Sequence, residues 1–290
     1  MKDRLYNAAW NLGVRLRNTA KQIGVLGFLE PTILKLAPYL IPPPSKDVEV
    51  TLPLGAKMVV PSRFPSARSY SSGLYEPDVT ALFQDIVKAG VTVVDLGANV
   101  GYYTLIASQM VGPNGMVYAF EPDPRNYKYL LGNIKANDCP NVIAVEKAVS
   151  NSTMPMNFIL DPQGAEGWLI PVGRSEGTSM IVQAVSLDDF FGQKGWPSID
   201  LIKMDIEGGE KAALEGMSEL SRRNPGMQLI MELNLTSTRR AGVDPEALFV
   251  ILQKLGFCYG YIIEQGLRPY SVAHAFSKTH ATYNLLLRKK

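Results

Sequence analysis

From residue 46 onward the chain alternates short β-branched runs with longer stretches whose apolar positions return every three or four residues. Side chains alternate faces along a strand and share a face at that longer step along a helix, so the pattern predicts an α/β sheet. Val91–Leu96, bounded by Gly90 and Gly97, predicts a first strand, and Tyr102–Val111 a helix stopped at Gly112-Pro113. Met116–Glu121 and Val142–Val149 predict the second and third strands, with a helix over Arg125–Asn137 between them. Met156–Leu160 reads as an extra strand. Residues 161–180 hold five glycines or prolines by residue 173 and show almost no periodicity, so a loop is expected there. Beyond it the pattern predicts a short helix at Leu187–Phe191, strands at Ile199–Met204 and Gln228–Glu232, and helices at Glu210–Met217 and Pro245–Leu255. Two late strands, Tyr259–Ile263 and Thr282–Leu287, complete it. One continuous domain over residues 46–290 fits this better than two.

The first 45 residues follow another rule. Leu5, Ala9, Leu12, Leu16, Ala20 and Ile23 mark one helix face, and Lys2, Arg4, Arg15, Arg17 and Lys21 against Asp3 alone give residues 1–24 a balance of +4. The apolar stretch that follows is broken by Pro31, Pro38 and the run Pro42-Pro43-Pro44, which excludes helix and marks the boundary. Residues 1–45 are therefore expected to be a helical extension with three readings open: packing on the main domain, packing on a second copy in a homodimer, or peripheral contact with an anionic membrane surface.

Composition removes several alternatives. The 290 residues carry 29 Lys and Arg against 27 Asp and Glu, a formal net charge of +2, which argues against a chain built to coat nucleic acid. No nucleic-acid partner is expected. Cys139 and Cys258 are too few for a disulfide scaffold and lack zinc-site spacing. No apolar run approaches the roughly 20 residues of a membrane-spanning helix, and no signal-peptide pattern opens the chain. The expected location is cytoplasmic, with peripheral attachment to the inner membrane surface if residues 1–45 serve as an anchor.

The chemistry gathers at strand ends. The first strand ends in Asp95-Leu96-Gly97-Ala98-Asn99-Val100-Gly101 and runs into a helix. Ligands of open α/β sheets sit outside the carboxyl ends of strands; glycines there admit close approach, and a helix N-terminus favours an anionic group. The spacing is Gly-x-x-x-Gly, not the Gly-x-Gly-x-x-Gly of dinucleotide enzymes, which counts against NAD. Glu121 ends the second strand, where an acid accepts hydrogen bonds from both ribose hydroxyls. Together these describe a pocket for a nucleoside with an amino-acid-like tail, S-adenosylmethionine (AdoMet) more readily than a dinucleotide. A third group, Lys203-Met204-Asp205-Ile206-Glu207-Gly208-Gly209-Glu210, puts Lys203, Asp205 and Glu207 at period two. Like-facing ionisable groups at a strand end are costly unless they bind something or each other.

The sequence resembles the FkbM family of AdoMet-dependent methyltransferases over about residues 70–288. The matching stretches are Val93–Thr104, Val117–Pro124, Asn133-Ile134, Ala148–Ser150, Val185–Asp189, Ile202–Gly208 and Glu232-Leu233, all in order. The resemblance implies a class I methyltransferase fold, Rossmann-like, with a seven-stranded, mostly parallel sheet whose last strand is antiparallel. It implies transfer to oxygen, commonly a hydroxyl of a sugar, glycolipid or natural product; the acceptor would be a small molecule or a glycan- or lipid-linked hydroxyl. By position, Asp95, Gly97, Asn99 and Gly101 would hold the methionine end of AdoMet. Glu121 would bind ribose, with Pro122 and Asp123 shaping its turn. Ala148 and Val149 would contact adenine, and Tyr75-Glu76 would cap the pocket.

Methyl transfer from an already activated sulfonium asks the protein for proximity and orientation, plus a base when the acceptor is a hydroxyl. Asp205, Glu207 and Lys203 are the candidates for that work. His274 and His280 precede the last strand, where their loop could cover the acceptor, and either could serve as the base. No metal is expected, because no ligand signature compels one. Trp168 and Trp196 read as acceptor-site wall. Two other readings compete: an AdoMet-binding module without transfer, and a membrane-surface interaction protein scaffolded by the α/β domain.

Overall fold

The computed structural model describes residues 46–64, 69–70, 75–160, 167–170, 178–269 and 282–290. The expectations for residues 1–45 and for His274 and His280 lie outside the described residues. In chain order the elements begin with the hairpin β1 (Val48–Thr51) and β2 (Lys57–Val60), then α1 (Pro77–Ile86), β3 (Thr92–Leu96), α2 (Tyr102–Val111), β4 (Met116–Phe120) and α3 (Pro124–Ala136). There follow β5 (Val142–Val145), β6 (Ala148–Val149), β7 (Pro155–Leu160), β8 (Gly167–Ile170), β9 (Ser179–Val185) and α4 (Leu187–Gln193). The last part runs β10 (Leu201–Met204), α5 (Glu210–Glu215), α6 (Ser218–Arg223), β11 (Gln228–Asn234), α7 (Leu235–Arg240), α8 (Pro245–Lys254), β12 (Phe257–Ile262), β13 (Arg268–Pro269) and β14 (Thr282–Lys289).

The main sheet has the order β13-β12-β14-β11-β10-β3-β4-β5. Strands β3, β4, β5, β10 and β11 pair in parallel, while β14 runs antiparallel to both β11 and β12. Without the two-residue edge strand β13 this is the expected seven-stranded sheet with its last strand reversed. Period-two alternation feeds both faces. Val94, Leu96, Ile202 and Met204 point into one apolar cluster, and Val93, Leu201, Ile230 and Leu286 into the other. Near-continuous apolar strands are what a sheet covered on both faces requires.

Three expectations need correction. Val142–Val149 is not one strand: the chain turns tightly at Glu146, where the Lys147 N–H donates to the Val145 carbonyl, and β6 leaves the main sheet to pair with β9. The expected loop at 161–180 contains β8 and the start of β9, which join β7 and β6 in a four-stranded sheet of order β6-β9-β7-β8. Helices α6 and α7 had no counterpart in the apolar pattern, because at six residues each they are too short to display one. The β1–β2 hairpin was also unforeseen. Buried Asn133 of α3 holds it, accepting from the Val59 N–H at 2.8 Å and donating to the Val59 carbonyl at 3.0 Å.

Candidate active site

Two neighbouring hollows open at the carboxyl ends of the parallel strands and share Gly97, Asn99, Asp205 and Glu207. The one beside Glu121, Pro122, Ala148 and Val149 encloses about 70 Å³. The other, beside Glu76, Asp95, Lys203 and Glu232, encloses about 370 Å³.

The turn after β3 builds the partition between them. The Gly97 and Ala98 N–H groups both donate to the Phe120 carbonyl, at 3.0 and 2.9 Å, so the turn folds over the end of β4. Gly97 has φ +82°, and a Cβ there would lie 1.9 Å from the Asp205 carbonyl oxygen. No side chain fits, so the two strand-end loops touch through bare backbone. Glu121 accepts the Asn99 N–H at 2.7 Å on one oxygen and the Asp123 N–H at 2.8 Å on the other. Each oxygen keeps a lone pair for a further donor such as a ribose hydroxyl. Burial pushes the Glu121 carboxyl up to about 8, against those two hydrogen bonds. Asp123 accepts from the Arg125 N–H at 2.8 Å, caps α3 and pairs with the Arg125 guanidinium at 2.6 Å, which fixes the turn after Glu121.

The wider hollow is lined by charge and tyrosine. Lys203 of β10 is fully buried, 3.4 Å from Asp205 and 5.0 Å from the Tyr103 ring centroid. Burial alone would lower its ammonium, but Asp205, Glu76, Glu232 and Asp95 overrule it and hold the pKa above the usual value. Glu76 begins α1 in the left-handed conformation and accepts the Tyr103 hydroxyl at 2.6 Å. Burial raises its carboxyl. Asp95 accepts the Thr104 hydroxyl at 2.6 Å, and burial lifts it to about 6. Burial, with Asp205 beside it, drives Glu232 up to about 10. Glu76, Asp205 and Glu232 bring one carboxylate oxygen each within 4.8 Å of one another. Four carboxyl groups around one buried ammonium cannot all ionise without cost, and Glu76, Asp95 and Glu232 are accordingly held above the ordinary carboxylate range.

Most of the expected site residues therefore meet. Glu76, Asp95 and Lys203 line the wider hollow, Glu121, Pro122, Ala148 and Val149 the narrower, and Gly97, Asn99, Asp205 and Glu207 both. Gly101 lines neither. It sits at the N-cap of α2 with φ +104°, where a Cβ would approach the Leu130 side chain at 3.0 Å, so its work is seating α2 against α3. The period-two argument for Lys203, Asp205 and Glu207 fails in its reasoning, since β10 ends at Met204. Glu207 reaches the site through a left-handed backbone, φ +49°, and accepts the Ser237 hydroxyl at 2.9 Å. Glu210, at the start of α5, turns back to accept the Gly208 N–H at 3.1 Å, and burial lifts it to about 7. Trp168 borders the Glu121 hollow, not the wider one expected to take the acceptor. Trp196 borders neither and stacks under Arg223, 4.7 Å from ring centroid to guanidinium. Glu232 went unnoticed as a site residue, although it ends an expected strand as Glu121 does; the same position carried the same signal.

Similarity to known proteins agrees with this geometry. The model of the methyltransferase FkbM domain matches residues 95–259. The hexuronic acid methyltransferase AglP of Haloferax volcanii is 29% identical over 181 residues, covering 62% of this chain and 68% of that protein. The methyltransferase sdnD of Sordaria araneosa is 26% identical over 199 residues, covering 57% and 73%. Among solved structures, the methyltransferase FkbM of Methylobacillus flagellatus aligns at 18% identity with a TM-score of 0.44, over 68% of this chain and 43% of its own. With its glycine turn and the strand-end acids Asp95, Glu121, Asp205 and Glu232 inside the matched span, this chain belongs to the FkbM methyltransferase family.

Proposed function

We propose that the protein transfers the methyl group of AdoMet to a hydroxyl oxygen of a saccharide or natural-product acceptor. The observation that carries the reading is the junction at Gly97 and Asp205, where a narrow recess holding the strand-end acid Glu121 opens onto a carboxylate-lined chamber. AdoMet supplies an electrophilic methyl on a positively charged sulfur. The chain's own residues do the rest. Glu121 accepts the ribose hydroxyls, Gly97 lets the amino-acid tail pass against backbone, and Asp95 and Glu76 face its ammonium group. Asp205, one-quarter exposed, accepts the acceptor's proton as its oxygen attacks, and its contact with solvent lets that proton leave. Lys203 holds the Asp205 carboxylate in place.

Charge supports a refinement of the acceptor. Among the described residues lining the wider chamber, Lys203 is the sole cation, and it is already engaged by Asp205. A neutral sugar hydroxyl suits such a chamber better than a uronate, whose carboxylate would meet a wall of acids with no uncommitted cation among the described residues. The relative named as a hexuronic acid methyltransferase supports a saccharide-type acceptor. The test is calorimetry with AdoMet, S-adenosylhomocysteine and NAD, followed by a labelled-methyl screen against saccharide, lipid and small-metabolite fractions. Saturable binding of both adenosyl ligands and none of NAD is expected; binding of NAD alone would overturn the reading.

A further inference from the structure

The narrower hollow has walls of unequal kind. Two come from strand ends of the main sheet: Glu121 after β4 and the loop holding Asp205 and Glu207 after β10. The others belong to the small separate sheet, Ala148 and Val149 of β6 and, at its opposite edge, Trp168 of β8. Among the described residues, that sheet's own apolar cluster is small, with Ala148, Phe158, Val182 and Ala184 buried in it. Ligand pockets typically enclose about 300–1,000 Å³, and the 70 Å³ here holds only a few waters. A nucleoside enters this recess only if a wall yields, and the strand ends of a close-packed core are the walls least able to do so.

We propose that Trp168 is the movable wall of the nucleoside recess and the ring on which the cofactor's adenine packs, with Arg240 as its holder. The inference rests on reading this recess as the adenosyl half of the AdoMet site. The hairpin sets the indole accurately: Trp168 stands opposite Ile159 in the β7–β8 register, and Gly167 lies so close to Phe158 that a Cβ would come within 2.3 Å of its ring. Arg240, the last residue of α7, places its guanidinium carbon 3.9 Å from the Trp168 ring centroid. Such cation–π contact occupies one face of the indole and leaves the other for a second planar group. Arg240 also reaches the Ser237 hydroxyl at 3.4 Å, and that hydroxyl donates to Glu207 at 2.9 Å. A chain of contacts thus runs from Trp168 through Arg240 and Ser237 to Glu207, which lines both hollows.

The full-length protein carries three tryptophans, so intrinsic fluorescence reads the event directly. Titration with S-adenosylhomocysteine is expected to change the emission of wild type and of Trp196→Phe, and to leave Trp168→Phe silent while its affinity stays near wild type. By calorimetry, Trp168→Ala is expected to weaken S-adenosylhomocysteine and 5′-methylthioadenosine by the same factor, about 5- to 150-fold, the range for losing a base–aromatic stack. Arg240→Ala should weaken both less, and should shrink the effect of Trp168→Ala in the double variant. A Trp168→Ala protein that melts as wild type and keeps the wild-type dissociation constant overturns the proposal. So does a full fluorescence response from Trp168→Phe, which remains informative if the alanine variant fails to fold. Failure of wild type to bind either adenosyl compound is a different result, since it removes the AdoMet reading beneath the proposal.

Discussion

Glu121 shows how one side chain is prepared for a ligand. Two backbone N–H groups aim its carboxyl and leave both outer lone pairs free. Leaving the ribose hydroxyls without their buried acceptor costs about 1–3 kcal/mol, so Glu121→Ala should weaken S-adenosylhomocysteine by about that amount in calorimetry. An unchanged dissociation constant in the folded variant would take Glu121 out of the site. Asp205 is expected to behave in the opposite way. Asp205→Asn should lower kcat by about 10²–10⁴-fold while cofactor affinity changes little, because a base acts on the acceptor and not on the cofactor. Equal turnover would reduce Asp205 to a partner for Lys203. Both residues were readable from their strand-end positions. Glu207 was readable only as a residue, because its approach depends on a left-handed backbone that no pattern of apolar positions encodes.

At the scale of elements, the site depends on two loops meeting without side chains between them. Gly97→Ala would drive a methyl group into the Asp205 carbonyl at a φ that L side chains rarely adopt. The variant is expected to melt several degrees lower and to lose cofactor binding; wild-type melting and binding would show that the partition yields. The strands and helices around this turn were legible because each is long enough to show its period. Tyr102–Val111 is a helix over the span that the pattern implies. What escaped was decided by partners remote in sequence. Ala148-Val149 left the third strand because Ala184 and Val185 offered parallel pairing, and Gly167–Ile170 became a strand because β7 lay beside it. Such choices are tertiary, and a local pattern cannot hold them.

For the whole molecule, the buried carboxyls set a pH dependence. Asp95 rises from 3.8 to about 6, Glu210 from 4.5 to about 7, and Glu121 from 4.5 to about 8, each because of burial. The folded chain thus binds protons that the unfolded chain has released, and their contribution is complete below the unfolded values. It is lost as pH rises through each window. The melting temperature without ligand should therefore fall between pH 5 and 8.5, and Glu121→Gln should flatten the slope. A melting temperature that climbs with pH across this range would contradict the assignment. For residues 1–45, co-sedimentation with anionic vesicles at low and high salt tests the membrane reading against the two packing readings. Contact with the membrane predicts binding at low salt that fades as salt screens about 1 kcal/mol per basic residue. Absence of binding at low salt leaves packing within one copy or between two.

Strand β14 pairs with β11 through six residues on one side and with β12 through five on the other, so the last strand of the sequence is wedged into the interior of the sheet. Neither neighbour has its final partner until it arrives. The acceptor chamber, with Glu232 on β11 and Thr282 on β14, is therefore assembled last. A ribosome-bound chain can bury β3, β4 and β10 during synthesis, yet it holds β11 as an open edge until residues 282–289 emerge. Until β14 pairs, the folding chain has a nearly formed cofactor recess beside an exposed strand. That interval is when a chaperone would protect it, and when cofactor could already bind before the other hollow has all its walls.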